Sequence, residues 1–286
     1  MPAPARIVET VVAPSADVLW VGDREPDELA IARAAAARLA EVHDVATLDE
    51  AISSTIPAFV ERCPAVILLA SKSPLSWTLG ECAALSRRWP LTPLVSIATT
   101  LVEGRRRSGP ALPGVEEIPW NELSARLAWW LHDRRRGVPG SLGQPTTARR
   151  DERLLEFAAR LAEHAGGGAR AGGVSVAASR AIDLEGLAEV VTAVGHPVRS
   201  RVRGRPPLDD PAEVVVWDVA SITAADLTWL SLLSAHRPAR AVILLESFPR
   251  ADTTRAALES GAAAVLGRPV SMESLSGVLL GLAAAG

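Results

Sequence analysis

Short apolar runs alternate along this chain with longer stretches of helical periodicity, and the whole alternation occurs twice. In the first half the runs are Val18–Val21, Val66–Leu69 and Leu94–Ala98, with a weaker one at Val115–Ile118 and a short candidate at Val45–Thr47. Helical patterns open near Asp27, Ser76 and Asn121. The second half repeats the layout, with strand candidates Val174–Ala177, Val198–Val202, Val214–Trp217, Val242–Leu245 and Ala264–Leu266. Helices are expected there over Leu184–Val194, Ala224–Ala235, Thr253–Ser260 and Met272–Ala284. This alternation predicts βα units, because parallel neighbours need a crossover and a helix supplies it. The strand candidates are apolar at successive positions, as strands covered by helices on both faces require.

The expected fold class is therefore α/β: two doubly wound parallel-sheet domains of flavodoxin-like type, each of five βα units, over residues 15–133 and 173–286. The halves look like a divergent internal duplication. Residues 134–172 are the expected linker. It opens with RRRGVPGSLGQPTT, a composition suited to a flexible connection. An amphipathic helix is expected at about 149–165, with Leu154, Phe157, Ala158, Leu161 and Ala165 on one face and charges opposite. Two readings of that helix stand: it packs on one domain, or it pairs with a second copy in a homodimer. It is short for a coiled coil. GGGARAGG then breaks the chain before the next strand.

Composition removes several function classes. A net charge of -3 leaves no basic excess for nucleic acid, so no nucleic-acid partner is expected. Lys72 is the sole lysine, so any lysine-dependent chemistry must use it. Cys63 and Cys82 make no disulfide framework and fit no zinc spacing; both are expected as buried, reduced thiols. The first residues lack the long apolar core of a signal peptide, and no unbroken apolar run reaches ~18 residues. The cytoplasm is the expected compartment, with no membrane partner. No GxSxG, HExxH or Walker pattern occurs. Gly166–Gly173 is glycine-rich but precedes a strand, whereas a phosphate-cradling loop follows one. No cofactor and no metal are expected.

The second half carries a resemblance. Ala241 to Leu275 reads AVILLESFPRADTTRAALESGAAAVLGRPVSMESL, and EVVVWDVAS lies upstream. The strand, the helix, the GA-x-x-x-L strand, the basic residue before proline and the final helix resemble the last third of a response-regulator receiver domain. EVVVWDVAS is similar to the receiver's third strand, which ends in the phosphate-accepting aspartate. The resemblance covers roughly Gly173 to Leu282 and implies that Asp218 stands at the acceptor position. The family's chemistry uses an acidic pair after the first strand to hold Mg²⁺, which screens the incoming phosphoryl oxygens. It also uses a lysine and a responding hydroxyl. Here Ala178 and Ser179 stand where the acidic pair belongs, Arg268 replaces the lysine, and the hydroxyl position falls on Glu246 or Ser247. The resemblance thus implies a vestigial pocket in which a guanidinium fork makes a structural pair with Asp218, in a geometry that suits a bidentate bond. Asp183, Asp209 and Asp210 sit in expected loops from which one could approach Asp218.

The first half resembles a receiver more weakly. Asp23 follows VLWVG, where one acidic residue of the pair would lie. Aligning Pro74 with the proline that often follows the acceptor puts Ala70 at the acceptor position. The hydroxyl position falls near Ala98 or Thr99, and Ile118-Pro119 stands where Lys-Pro would be.

Other signals have bland readings beside sharper ones. Lys72, with Ser71, Ser73 and Ser76, reads as a solvated loop or as a small anion site. His43, His132, His164, His196 and His236 are scattered, mostly at expected helix ends or turns. Trp129 and Trp130 are neighbours on the last helix of the first half, about 100° apart, so one is expected to be buried and the other to lie at a surface or domain contact. Trp120, Trp129 and Trp130 are interface candidates, the alternative being core packing. Arg105–Arg107 and Arg134–Arg136 are basic runs in expected loops. The function expected from all this is non-catalytic: a tandem of pseudo-receivers acting in signalling or scaffolding through a protein partner. An atypical response regulator phosphorylated on Asp218, and a small-ligand or nucleotide sensor at the carboxyl edge of one sheet, are the alternatives.

Overall fold

A computed structural model describes residues 17–25, 27–73, 76–103, 112–137, 152, 155–160 and 173–284. The first sheet holds β1 (Asp17–Gly22), β2 (Glu41–Val45), β3 (Val66–Ala70), β4 (Leu94–Ala98) and β5 (Val115–Pro119). Helices α1 (Asp27–Leu39), α2 (Leu48–Ser53), α3 (Leu79–Arg88), α4 (Thr100–Glu103) and α5 (Leu123–Arg135) accompany it, with 3-10 turns at Pro57–Phe59 and Trp120–Glu122. The second sheet holds β6 (Val174–Ala178), β7 (Val198–Arg203), β8 (Val214–Ala220), β9 (Ala241–Glu246) and β10 (Ala264–Gly267). Its helices are α6 (Ala181–Ala193), α7 (Ala224–His236), α8 (Ala251–Glu259) and α9 (Met272–Ala284). All pairings are parallel, in the orders β2-β1-β3-β4-β5 and β7-β6-β8-β9-β10. The same order in both halves is the doubly wound, flavodoxin-like order, so the expected fold class is the one observed.

The inner strands owe their place to composition. Every residue of β3, β4 and β6 is buried, as strands covered on both faces must be. The edge strands depart from that expectation. β7 reads VRSRVR, where half-buried and exposed positions alternate, and β2 reads EVHDV, exposed at Glu41 and Asp44 and buried only at Val45. An edge strand has one strand neighbour and a wetter face, so period-two polarity is permitted there. This polarity is why the expected strand at Val45–Thr47 is misplaced: Thr47 instead caps α2, its side chain accepting from Glu50 N. The helix expected near Ser76 opens at Leu79, where Thr78 and Glu81 form a reciprocal capping box. Arg134 and Arg135 lie in the last turn of α5 rather than in a loop, where cations suit the helix dipole. Cys63 is exposed, against the expected burial, because it sits in the turn ahead of β3; Cys82 is buried.

One hydrophobic cluster runs through both halves, and two others each belong to a single half. The shared cluster centres on α5 and α9, which pack closely. A Cβ on Gly277 of α9 would stand 2.0 Å from the Ala125 carbonyl oxygen of α5, so only glycine permits this approach. Polar contacts bracket the crossing. Arg126 of α5 reaches Glu122 at 2.8 Å and Glu116 at 3.4 Å in its own half, and Glu273 of α9 at 2.9 Å. Burial alone would lower the Arg126 pKa, but the charges of Glu273, Glu122 and Glu116 outweigh it and raise it. Ser274 donates to Glu122 at 2.9 Å, and Arg255 of α8 reaches Asp27 of α1 at 2.8 Å.

Trp120, Trp129 and Trp130 are 2%, 2% and 4% exposed. They line no exposed face: all three belong to the cluster that both halves share, so of the places expected for the adjacent pair, core and domain contact, rather than a surface, are what α5 provides. Trp129 meets Phe157 with ring centroids 5.5 Å apart, and buried Arg160 reaches Asp133 of α5 at 2.8 Å. The helical stretch 155–160 of the linker therefore packs on α5, with Phe157 inward but Ala158 and Leu155 exposed. Leu154, Leu161, Ala165, His164, Pro74, Arg105–Arg107 and Gly166–Gly172 lie outside the described residues.

Replacing Gly277 by alanine tests the crossing. Helix propensity alone favours alanine by roughly 0.5–1 kcal/mol, yet the clash predicts a net loss of about 1–3 kcal/mol. Gly186→Ala on α6, where nothing lies within 4 Å, should gain stability instead. Urea denaturation of both variants measures the contrast.

Candidate functional site

Asp218 stands at the carboxyl end of the central strand β8, after four buried residues, Val214–Trp217. Its strand register sets it beside Ala178 on β6 and Leu245 on β9. It is 6% exposed. The backbone then irregularly shifts register, and Ala220 takes a left-handed φ of 56°. That conformation is disfavoured for a residue with a Cβ. It brings the Ala220 N–H back to donate to Asp218 Oδ1 at 3.2 Å, while the Ala220 carbonyl accepts from Ser247 N at 2.8 Å.

Arg268, directly after β10, places Nη1 3.0 Å from Asp218 Oδ1. Its Nη2 lies 3.4 Å from Asp183 Oδ1. The sequence anticipates the Asp218–Arg268 pair but suggests both prongs of the fork on Asp218. Instead the fork is divided between two carboxylates. Asp183 belongs to the first turn of α6, not to a loop, and a helix start fixes it at the edge of the sheet. The Arg180-x-x-Asp183 spacing at a helix start is the signal that could have marked it. Asp210 is elsewhere: it accepts from Ser175 and Ser200 and from the Ala212 amide, toward the opposite end of β6.

Electrostatics follow from this geometry. Burial pushes the Asp218 pKa up; Arg268 and the Ala220 amide pull it back, and the charge of Asp183 pushes it further up, with a net rise. Glu246 ends β9 but is engaged separately. It accepts from Ile222 N at 3.3 Å and from Thr253 Oγ1 at 3.2 Å, and burial raises its pKa. Ser247 is exposed and joins Ala220 through its backbone. The expected pocket is thus split: Asp218 and Arg268 meet, with Asp183 added, while Glu246 and Ser247 border them.

Asp23 lies in the other half, after β1. Its Oδ2 accepts from the Lys72 amide at 3.0 Å and its own amide donates to the Ala70 carbonyl at 2.9 Å. Gly22, at φ 105°, makes that closure: a Cβ there would stand 2.3 Å from the Ala70 oxygen. Ala70 is fully buried and offers no polar side chain at the strand end. Lys72 itself is exposed, and Ser71 and Ser76 bond to each other and to the Ser73 carbonyl.

Among the described residues, Asp17, Glu41 and His43 bring ligand atoms within 4.8 Å of one another at the amino edge of the first sheet. Both Asp17 oxygens are already engaged, by His43 at 3.1 Å and Arg62 at 2.9 Å. His43 therefore sits on a strand, not at a turn, and packs edge-on to Phe59.

No family model and no curated protein matches the chain. Solved structures similar to it include a putative pilus assembly-related protein from Burkholderia pseudomallei, at 26% identity over 39% of this chain and 88% of that one, with a TM-score of 0.35. A putative pilus assembly protein from Burkholderia thailandensis is 25% identical over 39% of this chain and 97% of that one, with a TM-score of 0.35. A CheY-like protein from Pseudomonas aeruginosa is 17% identical over 38% of this chain and 98% of that one, with a TM-score of 0.32. Among the described residues no helix is long and apolar enough to cross a membrane.

The raised Glu246 pKa gives a signed expectation. A carboxyl whose folded-state pKa exceeds its unfolded value contributes stability at low pH, which is lost as pH rises through the folded value. Glu246→Gln keeps an oxygen for Ile222 and has no charge to bury. The variant should therefore gain on the wild type as pH rises from the ordinary glutamate range toward neutrality. Urea midpoints at a series of pH values check this, and a constant difference would contradict it.

Proposed function

We propose that this protein is a non-catalytic signalling or scaffolding module, built from two receiver-like domains that have lost phosphorylation chemistry, and that it works through protein contacts. The observation that carries this reading is the guanidinium of Arg268 at 3.0 Å from Asp218. A phosphoryl acceptor needs a divalent cation beside it to screen the incoming oxygens. Here an arginine from the protein sits against the carboxylate. The neighbouring strand ends in Ala178, which offers no oxygen ligand from its side chain. In the first half Ala70 removes the nucleophile altogether. Ile182 and Phe248, 70% and 60% exposed, follow the strands on either side of β8 and give this edge apolar surface suited to a protein partner.

One observation favours a second reading, an atypical regulator phosphorylated on Asp218. Asp183 shares Arg268 with Asp218, so two carboxylates converge at the strand end. If Arg268 swung outward, the pair could face a cation. Its partial exposure, 27% for the side chain, leaves room for such a movement.

Intact mass after incubation with acetyl phosphate and Mg²⁺ separates the two. No adduct is expected on the wild type. A phosphoryl adduct that disappears in Asp218→Ala would overturn the non-catalytic reading and establish the second.

A further inference from the structure

The amino edge of the first sheet gathers polar side chains that lie away from both receiver-like strand ends. Asp17 opens β1 and Glu41 opens β2, and the parallel register sets the two side by side. Side chains alternate along a strand, so Glu41 and His43 project from one face of β2, the face on which Asp17 stands. Two like charges directly abreast repel each other. His43 reaches both: its Nε2 is 3.1 Å from Asp17 Oδ1 and 3.7 Å from Glu41 Oε1. All three ligand atoms fall within 4.8 Å of one another.

Those spacings are the ones a small divalent ion imposes. Zinc bonds of ~2.0–2.2 Å in a tetrahedral array hold ligand atoms about 3.3–3.6 Å apart. The two separations from His43 bracket that range, so small side-chain rotations suffice. The set is also held in place. Asp17 is 7% exposed. Arg62, from the turn ahead of β3, reaches Asp17 Oδ2 at 2.9 Å and so orients Oδ1 toward the other two ligands. Outer partners of this kind ordinarily aim the carboxylates of metal sites. The His43 ring packs edge-on against Phe59, and Phe59 in turn meets Trp89. The Glu41 side chain, 54% exposed, is the outermost of the three and leaves an approach from solvent. The imidazole sets this cluster apart from an acidic patch: a nitrogen ligand suits zinc, whereas Mg²⁺ and Ca²⁺ take oxygen.

We propose that Asp17, Glu41 and His43 bind one Zn²⁺ ion, with water completing the tetrahedron. His43 Nε2 and Asp17 Oδ1, which face each other, both turn to the ion, and the His43 proton then resides on Nδ1. The ion neutralises the abreast carboxylates and ties the starts of β1 and β2 together, so binding stabilises the first half. The site lies at the opposite end of β1 from Asp23 and in the other half from Asp218. The proposal therefore goes beyond the function proposed above and does not depend on it.

Zinc titration of the full chain in a Cys63→Ser background is the test, because the exposed Cys63 thiol would bind zinc by itself. Competition with a chromophoric chelator reads the affinity, and circular dichroism confirms the fold. One Zn²⁺ per chain is expected, with a rise in melting temperature, and excess Mg²⁺ or Ca²⁺ should not displace it. Losing even an outer partner of a metal ligand typically costs roughly 10–100-fold in affinity. His43→Gln and Glu41→Gln should therefore each weaken zinc at least about tenfold and remove the rise in melting temperature. Glu41 is exposed, so its replacement tests the site even where the His43 change disturbs packing on Phe59. His236→Gln, at an exposed histidine of the second half, should change neither readout. Absence of saturable zinc binding, displacement by Mg²⁺ or Ca²⁺, binding that His43→Gln and Glu41→Gln both leave unchanged, or an equal loss in His236→Gln overturns the proposal.

Discussion

The close crossing of α5 and α9 is the contact on which the arrangement of this molecule depends. It needs a bare backbone at Gly277, because the Ala125 carbonyl occupies the space of a side chain. It joins the cores of the two halves into one cluster and sets Arg126 among carboxylates from both. Removing the cation would leave several negative charges crowded in a half-buried space, a situation that costs far more than an exposed pair contributes. The crossing also fixes the boundary at which α1 faces α8.

A consequence concerns surfaces. The last helix of each half is spent on the other half, and the linker stretch 155–160 covers more of α5 through Phe157 and Arg160. Aromatic residues that read as a partner surface in isolation are therefore interior. What remains exposed and apolar near the strand ends of the second sheet is Ile182 and Phe248, which flank Asp218. The chemistry of that strand end is dominated by one arginine divided between two carboxylates. Burial and the second carboxylate together hold Asp218 toward its protonated form, while Arg268 opposes them. The balance of these terms, not the presence of an aspartate by itself, decides what the strand end can do.

The sequence revealed the α/β class, the two sheets and most strand cores, because inner strands here are continuous apolar runs and leave a strong signal. It was weaker at the edges. β2 and β7 mix charges with apolar residues, and the start of β2 was missed for that reason. It anticipated that Arg268 meets Asp218, since both follow strands that end at the same edge. It did not reveal that Asp183 takes the other prong, because strand spacing says nothing of how a helix start leans over a neighbouring strand.

Local patterning thus determined what each segment is: the caps at Thr47, Thr78 and Thr223, the buried strands, and the glycine that permits tight approach. The caps and the strands depend on neighbours a few residues away and are written in the order of the chain, whereas the need for a bare backbone at Gly277 comes from Ala125 in the other half. Only the tertiary structure decided that Trp120, Trp129 and Trp130 are interior, that Cys63 is exposed, and that Arg126 is shared between halves. Those outcomes depend on which helix faces meet across more than a hundred residues of sequence, and no periodicity along the chain encodes that distance.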